Sequence, residues 1–430
     1  MALQLNVLSI NLTDPTEDRT GYTFKGWYSD ANFTKLVVEA GKGTTAYETT
    51  GACTLYAKWE ANTTTVTYNE NIMGTNNLAA GNSTQCYTTP SWVDKSTDDL
   101  IIYEKSDVYL DLPKTDYYGF KGWFTSPSGG VQITDSTGKV INSTAILTKT
   151  VELFAHWTPS YSGTYVYDSA SLKKITGTGN YHIVKDIEVS GDWTPIDTFS
   201  GTIDGHGHTI KNVKYAIRTS GTNSDTNFGF VRILTGTIKN VTFDAISIEI
   251  VKSKDGIHNN NVGGVAGYVN GGTIDNVHMT SPYVWSEHHR DAVSSGDYIN
   301  SFAGAVAGFM SSGTIKNCSV SGSGSIWATA KKATKSADAQ AYAGGVIGYM
   351  SGGTVSNCSR SDGVSVTSQS EVNSKTSASR SGAGGIIGVR GGGTYTGCTS
   401  TKNSVNAKSD NGSTANSSWN RSGAIVGSGA

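Results

Sequence analysis

The sequence predicts an all-β protein whose second half is a β-solenoid. Short strand-like segments alternate with glycine and asparagine turns, and a unit of about 40 residues recurs five times after residue 228. The composition agrees, because 52 glycines and only 16 % charged residues are typical of extracellular all-β proteins. A unit of this size cannot bury its apolar face alone, so successive copies are expected to stack on one another.

The net charge and the hydropathy of the sequence limit which partners and which cellular location are expected. The formal net charge of the 430 residues is −2, which gives no reason to expect a nucleic-acid partner. No apolar run is long enough to span a membrane, so no membrane insertion is predicted for this segment. We expect an extracellular, cell-surface location, with the export signal and anchor outside this segment, because the last residues begin another repeat at Gly423.

The front third contains a different repeat, present twice. Tyr22-Thr-Phe-Lys-Gly-Trp27 is followed by Leu-Tyr-Ala-Lys-Trp59, and Tyr118-Gly-Phe-Lys-Gly-Trp123 by Leu-Phe-Ala-His-Trp157. The alternation predicts strands with one apolar face. Aromatic residues at matched repeat positions are usually core, so four tryptophans are predicted to be structural: Trp27, Trp59, Trp123 and Trp157.

The two modules are predicted to span residues 1–61 and 62–159, and single residues within them predict bends, a helix cap and an opening strand. Gly26 and Gly122 stand where the chain must bend or let a ring approach the backbone. Ser29 or Asp30 is placed to cap a short helix through Phe33 and Leu36. Thr65–Tyr68 reads as the opening strand of the second module. In the first module, either 5–12 replaces that strand or the sequence begins inside a unit.

This block resembles the Listeria–Bacteroides repeat, also known as the internalin B-repeat, with its GY-x-F-x-GWY and later LYAxW motifs. The resemblance implies small β-grasp-like modules, with minor α-helix, that occur in tandem in bacterial surface proteins. Such modules are expected to act as a stalk.

Residues 160–430 are predicted to form the solenoid. The five copies lie near 228–243, 262–281, 303–322, 343–362 and 383–402. Each copy carries two apolar positions, one and four residues after a shared threonine, which predict two buried columns. Between them an asparagine recurs, and a hydrogen-bonded ladder at a bend is predicted for Asn240, Asn276, Asn317 and Asn357.

Three of the five cysteines occupy one column of the repeat. Cys318, Cys358 and Cys398 stand where Val241 and Val277 stand in the earlier copies, so a small buried apolar slot is the favoured interpretation. One disulfide between stacked cysteines is the alternative. Metal binding is disfavoured, since no histidine or carboxylate recurs beside them.

The copies also resemble the GLUG motif (GGLVGY…G-x-I-x-NC) and the region that precedes it in GLUG-bearing surface proteins. Together these matches run from about residue 181 to the end of the chain. The resemblance implies a right-handed parallel β-helix, and the handedness comes from the resemblance alone.

The stretches between the copies are predicted to contain the residues that bind a ligand. Residues 282–301, 323–341 and 363–381 read as a protruding loop or a third strand in each period. The first stretch holds a cluster whose rings suit sugar faces: Tyr283, Trp285, Glu287, His288, His289, Arg290 and Asp291. A solvated polar loop is the alternative. The nearby Lys331, Lys332 and Lys335 read as a solvated face.

The densest group of titratable residues is Asp204, His206 and His208. In one extended strand they would point to the same side and suit a metal or acid–base site. The flanking glycines favour instead a tight turn in which Asp and His satisfy the backbone. No catalytic residue, metal site or cofactor is therefore predicted.

The sequence thus predicts a non-catalytic surface protein of the adhesin type. The front modules act as a stalk, and the solenoid loops bind a host or microbial glycan or protein. One alternative is a self-assembling fibre subunit that binds another copy end to end through the solenoid. The second is a polysaccharide lyase or glycoside hydrolase, which needs converging carboxylates that the sequence does not place together.

Overall fold

The structure is a computed structural model. It describes residues 8–16, 19, 22–72, 97–100, 108–143, 151–219, 226–253, 259–290, 298–332, 338–372, 378–401, 403–411 and 419–429. Within these ranges regular structure consists of 38 strands and one four-residue helix, so the predicted all-β class is confirmed. The chain divides into two compact units, residues 1–161 and 162–430. The module boundaries at 61/62 and 159/160 remain predictions, and each unit is described by itself.

The first module forms two small antiparallel sheets. Its strands are β1 (Leu8–Leu12), β2 (Tyr22–Tyr28), β3 (Leu36–Glu39), β4 (Thr45–Thr49) and β5 (Tyr56–Ala61). Strand β1 pairs with β4, and β2 lies between β3 and β5.

The second module forms one mixed sheet. Its strands are β6 (Thr64–Asn69), β7 (Thr97–Leu100), β8 (Tyr118–Phe124) and β9 (Val151–Pro159). The order is β7-β6-β9-β8, with β6 and β9 parallel at the centre and antiparallel strands on both sides.

A glycine bulge occurs at the same place in both modules. The register of β2 against β5 shifts between Phe24 and Gly26, and that of β8 against β9 shifts between Phe120 and Gly122. Both glycines have positive φ, 138° and 143°. At Gly122 an added Cβ would overlap the carbonyl oxygen of Thr134. The bulge therefore requires glycine, for steric as well as conformational reasons.

The predicted helix in the first module is not formed. The carboxylate of Asp30 instead accepts the backbone N–H groups of Asn32, Thr34 and Lys35, at 3.1, 3.0 and 2.6 Å. These bonds close a turn, and β3 begins at Leu36. An aspartate whose carboxylate satisfies three nearby amides competes with helical hydrogen bonding, which explains the wrong prediction.

The opening strand also differs between the modules. Strand β1 exists, within the predicted 5–12 segment, but it pairs antiparallel with β4. In the second module the opening strand β6 pairs with the last strand, β9. In the described part of the first module, the last strand β5 is paired with β2 and not with β1. The proposed substitution of 5–12 for the opening strand is therefore wrong in its pairing.

The tryptophans are buried to different extents in the two modules. Trp123 and Trp157 are buried, and their indole nitrogens donate to the carbonyls of Asp111 and Glu70, both at 2.9 Å. Trp27 and Trp59 are partly exposed, and Trp27 donates to Thr13 O at 2.9 Å. The matched positions are thus packed more completely in the second module.

The second unit begins with β10 (Thr164–Val166), α1 (Ser169–Leu172), β11 (Asn180–Ile183), β12 (Ile187–Glu188), β13 (Ile196–Phe199), β14 (Thr202–Asp204) and β15 (Thr209–Lys211). The coils continue with β16 (Lys214–Thr219), β17 (Asn227–Phe228), β18 (Val231–Leu234), β19 (Thr237–Asp244), β20 (Ser247–Ser253), β21 (Asn259–Gly263), β22 (Ala266–Thr280), β23 (Tyr283–Arg290), β24 (Tyr298–Gly304), β25 (Ala307–Lys316), β26 (Ser319–Ser321) and β27 (Gly324–Lys332). They end with β28 (Asp338–Gly344), β29 (Ile347–Met350), β30 (Thr354–Ser356), β31 (Ser359–Arg360), β32 (Val364–Val372), β33 (Ser379–Gly384), β34 (Ile387–Arg390), β35 (Thr394–Thr396), β36 (Val405–Asn411), β37 (Trp419–Gly423) and β38 (Val426–Gly429).

Three parallel sheets form the solenoid. Sheet 1 has 17 strands and contains the repeated motif; sheet 2 has the order β16-β20-β23-β27-β32-β36, and sheet 3 the order β17-β21-β24-β28-β33-β37. The shared threonines pair rung by rung in the register Thr237, Thr273, Thr314, Thr354 and Thr394. The parallel solenoid is thereby confirmed, and its right-handed sense stays a prediction.

Both predicted columns of sheet 1 face the core. The first is fully buried from Ile238 to Val355 and ends at Tyr395, which is 43 % exposed. The second is buried from Val241 through Cys358, while Cys398 is partly exposed. The last of these rungs is therefore packed less completely than the earlier ones.

The repeated asparagines lie at a bend. Asn240, Asn276, Asn317 and Asn357 all have left-handed backbones, with φ between 52° and 56°. Asn276 donates to Asn240 Oδ1 at 3.0 Å and Asn357 to Asn317 Oδ1 at 3.3 Å. Asn317 instead donates to Asp275 Oδ1 at 2.8 Å, so the ladder changes partner at that rung. Asparagine suits the bend because it tolerates this backbone and bonds the next rung.

The stretches between copies form two more sheets. The described residues of 282–301, 323–341 and 363–381 each supply one strand of sheet 2 and the first part of one strand of sheet 3, as the third-strand alternative predicts. Residues 291–297, 333–337 and 373–377 lie outside the described ranges. The inner faces of the two sheets meet through small polar side chains, with Ser286–Ser301 and Ser368–Ser381 oxygen pairs both at 2.7 Å.

Candidate functional site

The predicted binding segment is strand β23 of sheet 2, and its side chains alternate between two faces. Tyr283, Trp285, Glu287 and His289 face outward and are partly or largely exposed, whereas Val284 is buried. The alternation follows from the period of two of a strand. The prediction that this segment is a loop is therefore wrong, and four of its seven candidates share one outer face.

Of the other three candidates, only the side chain of His288 is described, and it does not lie on that face. His288 is 0 % exposed and lies on the inner side of the strand, so it is not available to a ligand. Arg290 is the last residue of the strand, and its side chain is outside the described part. Asp291 lies outside the described residues.

The neighbouring rung adds a second tryptophan to the outer face. Trp327 of β27 is in register with Trp285, and the two rings stack with centroids 6.0 Å apart at 27°. Tyr283 meets Trp285 edge-on at 6.3 Å and 78°. Trp327 is 41 % and Tyr283 38 % exposed. These three residues are called the outer aromatic face below. Exposed rings of this size, grouped together, usually mark a recognition surface.

Two ion pairs border the outer aromatic face. Arg218 Nη2 lies 2.5 Å from Glu249 Oε1, and Glu249 is in register with Trp285. On β23 itself, His289 Nε2 pairs with the carboxylate of Glu287. The charges of this border are therefore largely matched within the protein.

The directions in which the pKa values of Glu287 and Tyr283 are shifted agree with this pairing. The hydrogen bond from His289 lowers the pKa of Glu287 in spite of its partial burial, and the charge of Lys331 acts in the same direction. Burial, together with the Glu249 carboxylate, raises the pKa of Tyr283. At neutral pH, Glu287 is thus an acceptor and the Tyr283 hydroxyl remains a donor.

Glu249 and Glu287 are each paired with a cationic or basic side chain. A glycosidase needs one carboxylic acid with a raised pKa beside an ionised partner. Here Glu249 is held by Arg218, and the pKa of Glu287 is shifted downward.

Asp204, His206 and His208 form a turn and do not share a strand. Strand β14 ends at Asp204 and β15 begins at Thr209, with His206 between them at a φ of 48°. The expectation that the three point to one side is therefore wrong, because the left-handed residue bends the chain between two strands that both run parallel to β19. His206 Nε2 contacts His182 Nδ1 at 2.9 Å, while His208 turns away toward Asp186.

Asp204 performs the structural role that the glycine-turn interpretation expects. Its Oδ1 accepts the His206 backbone N–H and the Asn240 amide, both at 3.0 Å, and Lys239 Nζ lies 3.0 Å from Oδ2. Burial pushes the pKa of Asp204 upward, but these donors outweigh it and the pKa is lowered. The group caps a turn and continues the asparagine ladder.

The stacked cysteines are free thiols. Cys318 and Cys358 are buried, and Cys398 is partly exposed. Their rungs are joined by backbone bonds of 2.9 Å from Ser359 N to Cys318 O and from Thr399 N to Cys358 O. A hydrogen bond with the Cys318 thiol, with burial, raises the pKa of Cys358 to about 12. Within the described ranges, no group of three His, Cys, Asp or Glu side chains is arranged to hold a metal ion.

Sequence reasoning missed Trp327, Arg218 and Glu249. A signal for Trp327 was present, because it follows Thr314 by 13 positions and Trp285 follows Thr273 by 12. Aligning the copies beyond the motif would have paired the two rings. Arg218 and Glu249 belong to earlier coils, in which the repeat is less regular, and only strand pairing brings them to this face.

Comparison with known proteins finds a family match in the front part of the chain. Residues 7–58 match the model of the Listeria–Bacteroides repeat domain, which confirms that resemblance for the first module. No curated protein matches the chain. Among solved structures, one similar chain is named "putative immunoglobulin A1 protease from Bacteroides ovatus". It is 20 % identical, and the alignment covers 62 % of this chain and 83 % of that chain with a TM-score of 0.35.

In the part of the chain that the structure describes, no helix has the length and apolarity needed to cross a membrane. A Listeria–Bacteroides repeat together with a β-solenoid fits a surface protein.

Proposed function

We propose that this protein is a non-catalytic, extracellular adhesin whose solenoid binds a glycan through the outer aromatic face. The exposed rings of Tyr283 and Trp327, placed together on one sheet, are the observation that carries the proposal. Aromatic rings pack against the C–H faces of sugars, and the polar side chains beside them supply hydrogen bonds. The front modules serve as the stalk, and the GLUG-like coils as the scaffold that presents the face.

Binding is favoured over catalysis by the state of the acidic groups. Glu249 and Glu287 are each paired with a cationic or basic side chain, and the pKa of Glu287 is lowered. Paired, ionised carboxylates accept hydrogen bonds from sugar hydroxyls but are poor proton donors. The hydrolase and fibre-subunit alternatives have no comparable observation in their favour.

The test is glycan-array binding by the full chain. We expect binding to at least one host or microbial glycan, and a loss of at least about tenfold in the double variant Tyr283→Ser/Trp327→Ser. Tyr395→Ser is the matched control, because Tyr395 is similarly exposed but lies on sheet 1. Circular dichroism checks that all three proteins are folded. No binding to any glycan, or equal binding by the double variant, would refute the proposal.

A further inference from the structure

We propose that His182 and His206 form an acid-sensitive contact, which holds the first coils of the solenoid together at neutral pH and releases them as the solution becomes acidic. These two residues are called the histidine pair below. The pair joins strand β11 to the turn that follows β14, which is the next strand of sheet 1 in this column. It lies apart from the outer aromatic face, which is on sheet 2, so its role does not depend on glycan binding.

The two imidazole rings of the histidine pair meet across adjacent rungs. Nδ1 of His182 lies 2.9 Å from Nε2 of His206, and the ring centroids are 5.2 Å apart at 29°. His182 is in register with Tyr165 on one side and with Asp204 on the other. The ring of Tyr165 meets that of His182 edge-on, at 5.8 Å and 66°. The contact therefore connects the rungs of β10, β11 and β14.

The hydrogen-bond partners determine the tautomers of the neutral pair. His182 Nε2 lies 3.2 Å from the carbonyl oxygen of Ser162, which can only accept, so this nitrogen carries the proton and Nδ1 is an acceptor. The Nε2–H group of His206 therefore donates to His182 Nδ1. A proton added to His182 must go to Nδ1, where it removes this acceptor and places two N–H groups against each other. Protonation of His182 thus breaks the contact.

The surroundings of His206 also oppose its protonation. Its side chain is 15 % exposed, and its Nδ1 lies 3.9 Å from Asp204 Oδ1. That carboxylate is already paired with Lys239, whose Nζ lies 3.0 Å from Oδ2. Burial lowers the pKa of His206, the Asp204 carboxylate opposes this shift, and the charges of His182, His208 and Lys239 add to it. The neutral form of the ring is therefore favoured in the folded protein.

A lowered histidine pKa makes the folded state less stable in acid. The unfolded chain binds protons with the ordinary histidine pKa, about 6.5, so the contribution of the pair is complete above this pH and is lost as the pH falls below it. The pKa values of Asp204 and Asp186 are lowered, so both carboxylates stay ionised at about pH 5. His208 lies 3.3 Å from Asp186 and gains an ion pair on protonation, which works against the loss.

The experiment is amide hydrogen exchange of the full chain at about pH 7.5 and about pH 5, expressed as protection factors so that the intrinsic effect of pH on exchange is removed. We expect protection in β10 and β11 to fall at least about tenfold at the lower pH, because a difference of one pKa unit changes the opening equilibrium tenfold. Protection in β29, which belongs to a later coil, should change by less than about twofold.

Two variants remove the titrating groups. His206→Asn should abolish the acid-dependent fall, because asparagine tolerates the left-handed backbone of residue 206, with its φ of 48°, but does not titrate. His182→Gln lies on a regular strand and should have the same effect.

His278→Asn is the matched control. His278 is a partly buried histidine of the same sheet, and its Nδ1 lies 2.7 Å from the hydroxyl oxygen of Ser319 and not beside a second histidine. This variant should leave the acid response of β10 and β11 unchanged. Equal protection at the two pH values in the unsubstituted chain, a full acid response in either variant of the histidine pair, or loss of the response in His278→Asn would each overturn the inference.

Discussion

At the scale of single residues, the backbone conformation determines which residue types can occupy several positions of this chain. The asparagine of each coil has positive φ, and in the fifth copy Gly397 takes the same place with a φ of 61°. Glycine and asparagine are the residues that enter this region at low cost. The recurrence of asparagine in the sequence therefore predicts the bend. No sequence feature predicts that the Asn317 side chain donates to Asp275 and not to the neighbouring asparagine, because this depends on where Asp275 lies one rung away.

Gly122 provides the sharpest residue-scale prediction. Gly122→Ala should lower the free energy of unfolding of the second module by about 2 kcal/mol, because its φ of 143° disfavours a side chain and the new Cβ would overlap the carbonyl oxygen of Thr134. Urea unfolding followed by tryptophan fluorescence measures the loss, since Trp123 is adjacent.

Gly119→Ala is the control for this change. It lies in the same strand, and its added Cβ would come no nearer than 3.9 Å to Thr158 O. An effect below about 0.5 kcal/mol is expected there, as for ordinary surface substitutions. Equal effects at the two glycines would show that the bulge does not constrain residue 122.

At the scale of strands, one buried charge connects two of the last coils. Arg360 continues a column formed by Phe243, Met279 and Val320, and its side chain is 4 % exposed. Its guanidinium donates to the carbonyls of Thr401 and Asn403 at 2.8 and 2.9 Å. Further bonds reach Ser361, Val364 and Ser400. Burial lowers the pKa of Arg360, yet these carbonyls satisfy its donors. Polar bonding therefore replaces the apolar contact that this column has in earlier copies.

Arg360→Met should destabilise the coil that follows. It restores an apolar side chain but leaves the carbonyls of Thr401 and Asn403 without their donors, at a cost of roughly 1–3 kcal/mol for each buried group left unsatisfied. Amide hydrogen exchange measures the effect locally, and we expect faster exchange in residues 399–409 than in residues 237–244.

Arg390→Met is the matched control, because Arg390 is partly buried and donates to one carbonyl, that of Gly393 at 3.1 Å. Its exchange pattern should stay near that of the unsubstituted protein. If Arg360→Met also leaves residues 399–409 unchanged, the guanidinium does not hold this coil.

At the scale of the whole molecule, the solenoid repeats one coil, and each coil touches its neighbours. The period between Thr314 and Thr354 is 40 residues, and the threonines pair in register. Stability is then approximately a sum over coils and their interfaces. A coil should therefore be removable as a unit if the register is kept.

Deletion of residues 315–354 removes one period and joins Thr314 to Val355. We expect a folded protein with an unchanged β signal per residue in circular dichroism and a cooperative thermal transition, because the buried columns remain continuous. The deleted coil includes Trp327, so glycan binding should be lost while the fold persists. Deletion of residues 335–354, half a period, is the control and should disrupt folding, since it removes β28 and β29 and leaves one coil without its strand in sheet 3. Aggregation of the full-period deletion would contradict independent stacking.

The sequence by itself determined the all-β class, the parallel stacking, the two core columns and the asparagine bend. Each of these follows from residue type and spacing, which report local backbone preference and burial. Only the tertiary structure decided that the stretches between copies form sheets 2 and 3, that His288 faces inward and that Arg218 and Glu249 lie beside Trp285. The side that a strand presents, and the residue one rung away, depend on register between segments about 40 residues apart. Spacing within one segment does not encode that register.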